Sequence, residues 1–120
     1  MRYLTIDGDD VGQRIATAYL RNNLSYLREI NDLVGEKTNQ ISDLLVNHGY
    51  VVIFCAADGV AAYHNDDGID ELAIFDAVKR IAGGEMTFSA GAGSSLRDSY
   101  IALLSAKSGG KARLHKYEDI

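Results

Sequence analysis

The chain has 120 residues, no proline and one cysteine. Without proline, its turns must be built from glycine, aspartate and asparagine, which implies short connections. With Cys55 alone, an internal disulfide and a multi-thiolate zinc site are both excluded. No apolar run has the length of a membrane span and no secretory leader is evident, so the sequence reads as cytoplasmic, with no direct membrane contact. Excess positive charge is also missing. A net charge of −5 argues against a general nucleic-acid coat. There is no internal repeat, no low-complexity stretch and no shift of composition that would mark a boundary, so residues 1–120 are expected to form one domain. The chain is 47% apolar and 24% charged, a balance that allows a real core without staples.

Apolar periodicity organises the chain. Arg2–Ile6 reads as a buried strand, and Asp9 or Asp10 can cap the helix after it. Val11, Ile15, Ala18, Tyr19, Tyr26, Ile30 and Leu33 recur at helical spacing, which predicts one long helix over 11–33 ended by Gly35. A second helix follows over about 36–48, with Gly49 as its stop. Tyr50–Ala56 and Val60–His64 read as strands joined by Ala57-Asp58-Gly59, with Gly59 supplying the positive φ of a tight hairpin. Asp70 caps a helix over 71–82. Met86–Ala92 is a strand. Ser94 or Ser95 caps a helix over 96–107, with Asp98 completing a capping box, and Ala112–Tyr117 is a last strand. The order βααββαβαβ predicts an α+β fold with a mainly antiparallel sheet and helices on one face.

Chemistry concentrates in two acidic loops about fifty residues apart. Ile6-Asp7-Gly8-Asp9-Asp10 closes the first strand, and Ala57-Asp58-Gly59 joins the second and third. Three carboxylates in four residues exceed what a helix cap needs, and like charges so close repel unless a cation sits between them. Free amides at about Asp10, Val11 and Gly12 open the following helix and suit phosphate oxygens, and Gly12 leaves room for close approach. Ala56 and Ala57 clear space beside Asp58. Near the C-terminus Lys107, Lys111, Arg113 and Lys116 collect positive charge. Lys107, Lys111 and Arg113 suit either a solvated helix end or a clamp on β- and γ-phosphates. Carboxylates with nearby lysines suit Mg²⁺ and nucleoside triphosphate. His48, His64 and His115 are scattered among turns and strand ends and read as surface residues, and Cys55 reads as a small core residue.

The segments that carry this chemistry resemble a known family over essentially the whole chain. Asp7-Gly8-Asp9 matches the D-x-D of the first strand of the GGDEF nucleotide cyclases and CRISPR-associated polymerases, which share a palm domain of ferredoxin-like type. Ala56-Ala57-Asp58-Gly59-Val60 falls where G-G-D-E-F falls, and Phe88-Ser89-Ala90-Gly91 where the family's S-x-G strand falls. The stretch from Ala102 to Lys111 resembles its A-L-x-x-A-K-x-x-G-R segment. The short form and the Asp-Gly-Asp-Asp-Val-Gly motif look most like the minimal CRISPR polymerases, small palm enzymes of antiphage defence.

The resemblance implies a metal-dependent nucleotidyltransferase that makes a cyclic oligonucleotide, a cyclic di-adenylate from ATP, as a second messenger. Two Mg²⁺ or Mn²⁺ ions per site would be held by Asp7 and Asp58 with help from the Gly8 carbonyl, and Asp9 would be a supporting acid. Lys107 and Lys111 would contact the triphosphate, and backbone amides near Asp10 and Val11 would cradle phosphates. A homodimer and a membrane effector that binds the product are implied as partners. The hairpin departs from the family pattern. Both glycines are alanine and the fourth position is Gly59 rather than an acid. That leaves a second reading open, a palm domain that binds or senses a nucleotide without turnover. Acidic loops that serve only as caps and turns of an interaction module are the third.

Overall fold

A computed structural model describes residues 1–120. Strand β1 (Arg2–Gly8) alternates as its sequence dictates: Arg2, Leu4, Ile6 and Gly8 are buried, and Tyr3, Thr5 and Asp7 face the other side half-buried. Helices α1 (Val11–Leu20) and α2 (Leu24–Asn47) follow, then a hairpin of β2 (Val51–Ala56) and β3 (Gly59–His64), helix α3 (Glu71–Ala82), strand β4 (Phe88–Gly93), helix α4 (Leu96–Ser108) and the short β5 (Leu114–Lys116). A turn of 3₁₀-helix covers Tyr117–Asp119. The order βααββαβαβ is the expected one. The five strands lie as β2-β3-β1-β4-β5, antiparallel except for the parallel β4–β5 pair.

The break between the first two helices is not where expected. It falls at Arg21–Asn23, and Gly35 lies inside α2. Asn22 takes a left-handed φ of 50°, and the Asn23 side chain caps α2 by accepting from the Tyr26 amide at 3.0 Å. Asparagine tolerates both roles, whereas a glycine inside a helix is a modest cost that does not by itself stop it. His48 and Gly49, at a φ of 86°, close α2 as expected. Ser95 Oγ caps α4 by accepting from the Asp98 amide, but the Asp98 carboxylate pairs with Arg97 and no reciprocal box forms.

The main core lies between one sheet face and helices α2 and α3, where Leu4, Ile6, Val60, Ala62 and Ala90 meet Ile30, Ile41, Leu45, Ile74 and Val78. The helices do not all share that face. Alternation along β4 sends Ala90 and Ala92 to the core and turns Gly91 and Gly93 the other way, under α4. A Cβ at Gly91 would lie 2.1 Å from both the Leu103 nitrogen and the Ser99 carbonyl oxygen, so α4 rests directly on the strand. A hydrogen bond of 2.9 Å between the Thr5 and Ser99 hydroxyls adds a polar link. Glycine at β4 thus admits a helix onto the second face, information that an apolar period does not carry. Cys55 is another difference. β2 is an edge strand, and the thiol is exposed rather than part of the core.

Candidate active site

Both acidic loops reach one edge of the sheet. Asp7 is the cross-strand partner of Gly59 on β3 and of Ser89 on β4. The Gly8 amide donates to the Asp58 carbonyl at 2.9 Å, which fastens the hairpin tip to the end of β1. Asp58 therefore stands beside Asp7. The hairpin turn is Ala57-Asp58, flanked by the pair Ala56 and Gly59. The positive φ belongs to Ala57, at 51°, and not to Gly59. Gly59 stands directly opposite Asp7, and a Cβ there would make only an ordinary contact, 3.5 Å from the Asp7 Oδ1.

Asp9 is held differently. It is buried, and Oδ1 accepts from the Ser89 hydroxyl at 2.8 Å while Oδ2 accepts from the Thr87 hydroxyl at 2.7 Å and the Ala112 amide at 3.1 Å. Its own amide donates to the Thr87 carbonyl. Asp9 thereby ties β1 to β4 and to the loop before β5, and its lone pairs are spent on that task. Thr87, Ser89 and the Ala112 amide are functional neighbours that the sequence reading missed. The S-x-G segment marked Ser89 as a strand position, but nothing in its spacing linked it to Asp9.

Lys107, from α4, reaches into the same edge. Its Nζ is 3.0 Å from Asp7 Oδ2, 3.0 Å from the Gly8 carbonyl oxygen and 3.2 Å from Asp9 Oδ1. Lys111 pairs with the Asp10 carboxylate. Both lysines thus lie on acids in the free protein rather than pointing into open solvent. Asp10 stands at the N-cap of α1 with a left-handed φ of 62° and makes no side-chain cap bond, so neither Asp9 nor Asp10 caps the helix. The first intrahelical donor is the Arg14 amide, bonded to the Asp10 carbonyl, which leaves the amides of Val11, Gly12 and Gln13 at the helix start without intrahelical partners. Gly12 has no atom within 4 Å of where a Cβ would stand.

The charges disturb one another as this crowding requires. Burial raises the Asp7 carboxyl above the usual aspartate value; the Lys107 hydrogen bond opposes the rise and the Asp58 charge adds to it. Burial would raise Asp9 as well, but hydrogen bonds from Thr87, Ser89, the Ala112 amide and Lys107 outweigh it and hold Asp9 below the ordinary range. Burial disfavours the Lys107 ammonium, yet Asp7 and Asp9 overcome that and raise its pKa.

No three His, Cys, Asp or Glu side chains are arranged so that together they could hold a metal ion. The donor set at this edge is instead two carboxylates, Asp7 and Asp58, and the Gly8 carbonyl. A hard cation such as Mg²⁺ takes one or two carboxylates and completes its shell with water and phosphate oxygens. The Lys107 ammonium between Asp7 and the Gly8 carbonyl shows that this spot accepts positive charge. The residues fit a divalent ion.

A cleft of about 690 Å³ opens beside Asp58, between α1 and α2. Val11, Ile15, Ile30 and Val34 give it apolar walls, and Arg28 and Asn31 supply polar groups. Arg28, Asn31 and Gly35 share one helical face at spacings of three and four. That spacing was in the sequence, but reading 11–33 as one helix hid the cleft between α1 and α2.

Comparison with known proteins bears on the fold and the family. Solved structures with the same fold include the active GGEEF domain of a diguanylate cyclase from Vibrio cholerae, with a TM-score of 0.71 and 13% identity over 97% of this chain and 81% of that one. The GGDEF domain of DgcB from Caulobacter crescentus, in complex with c-di-GMP, gives 0.74 at 11% identity, covering 98% and 77%. A chain of the Csm1–Csm4 cassette in complex with cA4 gives 0.73 at 19% identity, covering 94% of this chain and 20% of that one. No curated protein matches the sequence. The fold is the nucleotide cyclase-like palm, α+β with a five-stranded sheet. The model of the minimal CRISPR polymerase domain matches residues 3–117, and the chain belongs to that family.

Proposed function

We propose that residues 1–120 form a single palm nucleotidyltransferase domain that joins nucleoside triphosphates into a cyclic oligonucleotide, with ATP as substrate and a cyclic di-adenylate as product. The observation that carries this reading is the convergence of Asp7, the Gly8 carbonyl and Asp58 at one sheet edge, with the Lys107 ammonium among them. Asp7, Gly8 and Asp58 would hold two Mg²⁺ or Mn²⁺ ions. When bound, these supply charge to the α-phosphate and acidify the attacking ribose hydroxyl. The amides of Val11 and Gly12 receive phosphate oxygens at the start of α1. Lys107 and Lys111 exchange Asp7 and Asp10 for the β- and γ-phosphates, where an ammonium offsets the charge of the departing pyrophosphate. The base lies in the cleft between α1 and α2, against Ile15 and Val34 and within reach of Arg28 and Asn31. Asp9 supports the site by fixing the end of β1. Gly59, opposite Asp7, brings no side chain that could take the hydroxyl proton.

Ring closure needs a second nucleotide presented to the first, so the working form in this reading is a homodimer. The family resemblance supports a role in antiphage defence, in the cytoplasm, with a membrane effector reading the product. A second reading, nucleotide binding without turnover, is favoured by Gly59 and by the way Lys107 lies across the acids. Incubation with Mg²⁺ or Mn²⁺ and all four nucleoside triphosphates, followed by mass spectrometry, separates the two. A cyclic adenylate with stoichiometric pyrophosphate is expected. Saturable triphosphate binding with no product would establish the second reading, and a product without adenine would overturn the choice of substrate.

A further inference from the structure

The two oxygens of the Asp9 carboxylate are used in the same way. Oδ1 accepts from the Ser89 hydroxyl at 2.8 Å and from the Lys107 ammonium at 3.2 Å. Oδ2 accepts from the Thr87 hydroxyl at 2.7 Å and from the Ala112 amide at 3.1 Å. Each oxygen thus takes one hydroxyl from the start of β4 and one group tied to a lysine. Lys107 is held directly, and Ala112 is the chain neighbour of Lys111. The Ser89 oxygen also accepts from the Ala112 amide, again at 3.1 Å. The loop that bears Lys111 needs such anchors. Gly110, Lys111 and Ala112 take φ values of 122°, 65° and 53°, so two consecutive residues with side chains are left-handed. That backbone is unfavourable and persists only where its surroundings fix it. The Lys111 amide bonds the Ala106 carbonyl at the end of α4, and the Ala112 amide bonds Asp9 and Ser89 on the sheet.

We infer that Ser89 and Thr87 are positioning residues: acting through Asp9 and the Ala112 amide, they hold Lys107 and Lys111 at a set spacing, and that spacing selects a triphosphate over a diphosphate. This rests on the nucleotidyl-transfer reading of the same edge. A lysine is a point charge on a flexible stem and brings no geometry of its own. Two loose lysines would gather round any polyanion and tell phosphate number poorly. Lysines fixed in advance favour the anion long enough to meet both, and binding then spends less on ordering them. In the free protein Lys107 also lies on Asp7 and the Gly8 carbonyl, and Lys111 lies on Asp10. A metal ion takes Asp7 and the Gly8 carbonyl, so Asp9 is the contact that Lys107 keeps. Asp9 and Ser89 are buried, Ser89 with no exposed surface, so nothing else supplies the bonds that Ser89 makes. Thr87 is exposed, and its share is the smaller one.

Calorimetric titration of the full chain with Mg²⁺ tests this, using α,β-methylene ATP and α,β-methylene ADP as ligands. Wild type, Ser89→Ala, Thr87→Val, Thr87→Ser and Lys111→Ala are compared, with Ser89→Ala also made in the Lys111→Ala background. Wild type is expected to prefer the triphosphate. Ser89→Ala should lose about 5- to 10-fold in affinity for the triphosphate and under about 2-fold for the diphosphate, the scale of one charge-assisted contact no longer held in place. Thr87→Val should move the same way by less, and Thr87→Ser should behave as wild type. In the Lys111→Ala background Ser89→Ala should change the preference little further, because the lysine it places is gone. If Ser89→Ala melts early, the Thr87 pair gives the same readout at an exposed position. Folded Ser89→Ala that keeps the wild-type preference, or that loses both ligands alike, would overturn the positioning role, as would losses that add in full with Lys111→Ala. Wild type that binds the triphosphate analogue but makes no product from ATP would remove the transfer reading and leave the preference to decide the positioning role. Wild type that binds neither analogue would overturn both.

Discussion

At the scale of the residue, the two aspartates of the first motif do opposite work. Asp7 is half-exposed, raised by burial and crowded by Asp58. Asp9 is buried, saturated with hydrogen bonds and lowered. Asp9→Ala would leave the Thr87 and Ser89 hydroxyls without their acceptor, leave the Ala112 amide with the Ser89 hydroxyl oxygen alone, and remove one contact of Lys107, and should cost about 2–4 kcal/mol of stability. Urea unfolding reads that cost, and a loss under about 0.5 kcal/mol would mean that the network relaxes. Lys107 joins the two acids. Lys107→Ala is expected to weaken triphosphate binding by more than it weakens binding of a nucleoside monophosphate, because only the triphosphate offers β- and γ-oxygens to an ammonium. The same change should tighten Mn²⁺ binding in the absence of nucleotide, since the ammonium no longer competes for Asp7 and the Gly8 carbonyl. Electron paramagnetic resonance of free Mn²⁺ measures this directly, and unchanged Mn²⁺ affinity would show that the lysine and the metal occupy different places. Asp7, Asp58 and Lys107 were all readable as candidates from residue type and motif. The Thr87 and Ser89 partners of Asp9 were not, because hydroxyls in a strand carry no pattern until the strand's register is known.

At the scale of the element, helix and strand order was legible and helix boundaries were less so. Asn22 and Asn23 outweigh Gly35 as a break because one can take a left-handed φ and the other can cap, whereas Gly35 only weakens a helix that tertiary packing holds. The side of the sheet taken by α4 was also hidden, since it is set by the close approach at Gly91 and not by an apolar period. The hairpin shows the same limit at a finer grain. An Asp-Gly pair suggested a positive φ at Gly59, but the two-residue turn is Ala57-Asp58, and the strain falls on Ala57. Ala57→Gly should therefore stabilise the chain, by up to about 1 kcal/mol, as relief of left-handed strain outweighs the added freedom of the unfolded state. Thermal melting checks this, and a lower melting temperature would mean that the alanine methyl packs better than its backbone suggests.

At the scale of the whole molecule, the acids set how stability follows pH. The folded pKa of Asp9 is depressed, so its contribution is fully present above its unfolded value of about 3.9 and is lost as pH falls through the folded one. Glu118, lowered by its hydrogen bond to Arg2, follows the same sign. Asp7 is raised, so the folded state takes up that proton first and gains stability as pH falls towards about 4. Denaturation midpoints across pH should thus hold or rise slightly on mild acidification and then drop below about pH 4. Asp7→Asn should remove the rise and leave the drop, and a monotonic fall from neutral pH in wild type would contradict this assignment of signs. The buried pair of Arg2 with Glu71, extended to Glu118, fastens the end of the chain to the first strand at the edge remote from the site. Mutations at the acidic edge therefore need not unfold the molecule.

That separation makes the central claim testable with one measurement: the rate of pyrophosphate release from ATP with Mn²⁺ or Mg²⁺ by wild type, Asp7→Asn and Asp58→Asn, each checked for melting in the same buffer. Wild type is expected to release pyrophosphate. Each variant should keep its cooperative melt and lose on the order of 10³-fold or more in rate, the scale of a missing metal ligand. Folded Asp7→Asn and Asp58→Asn proteins that release pyrophosphate at the wild-type rate would contradict the account.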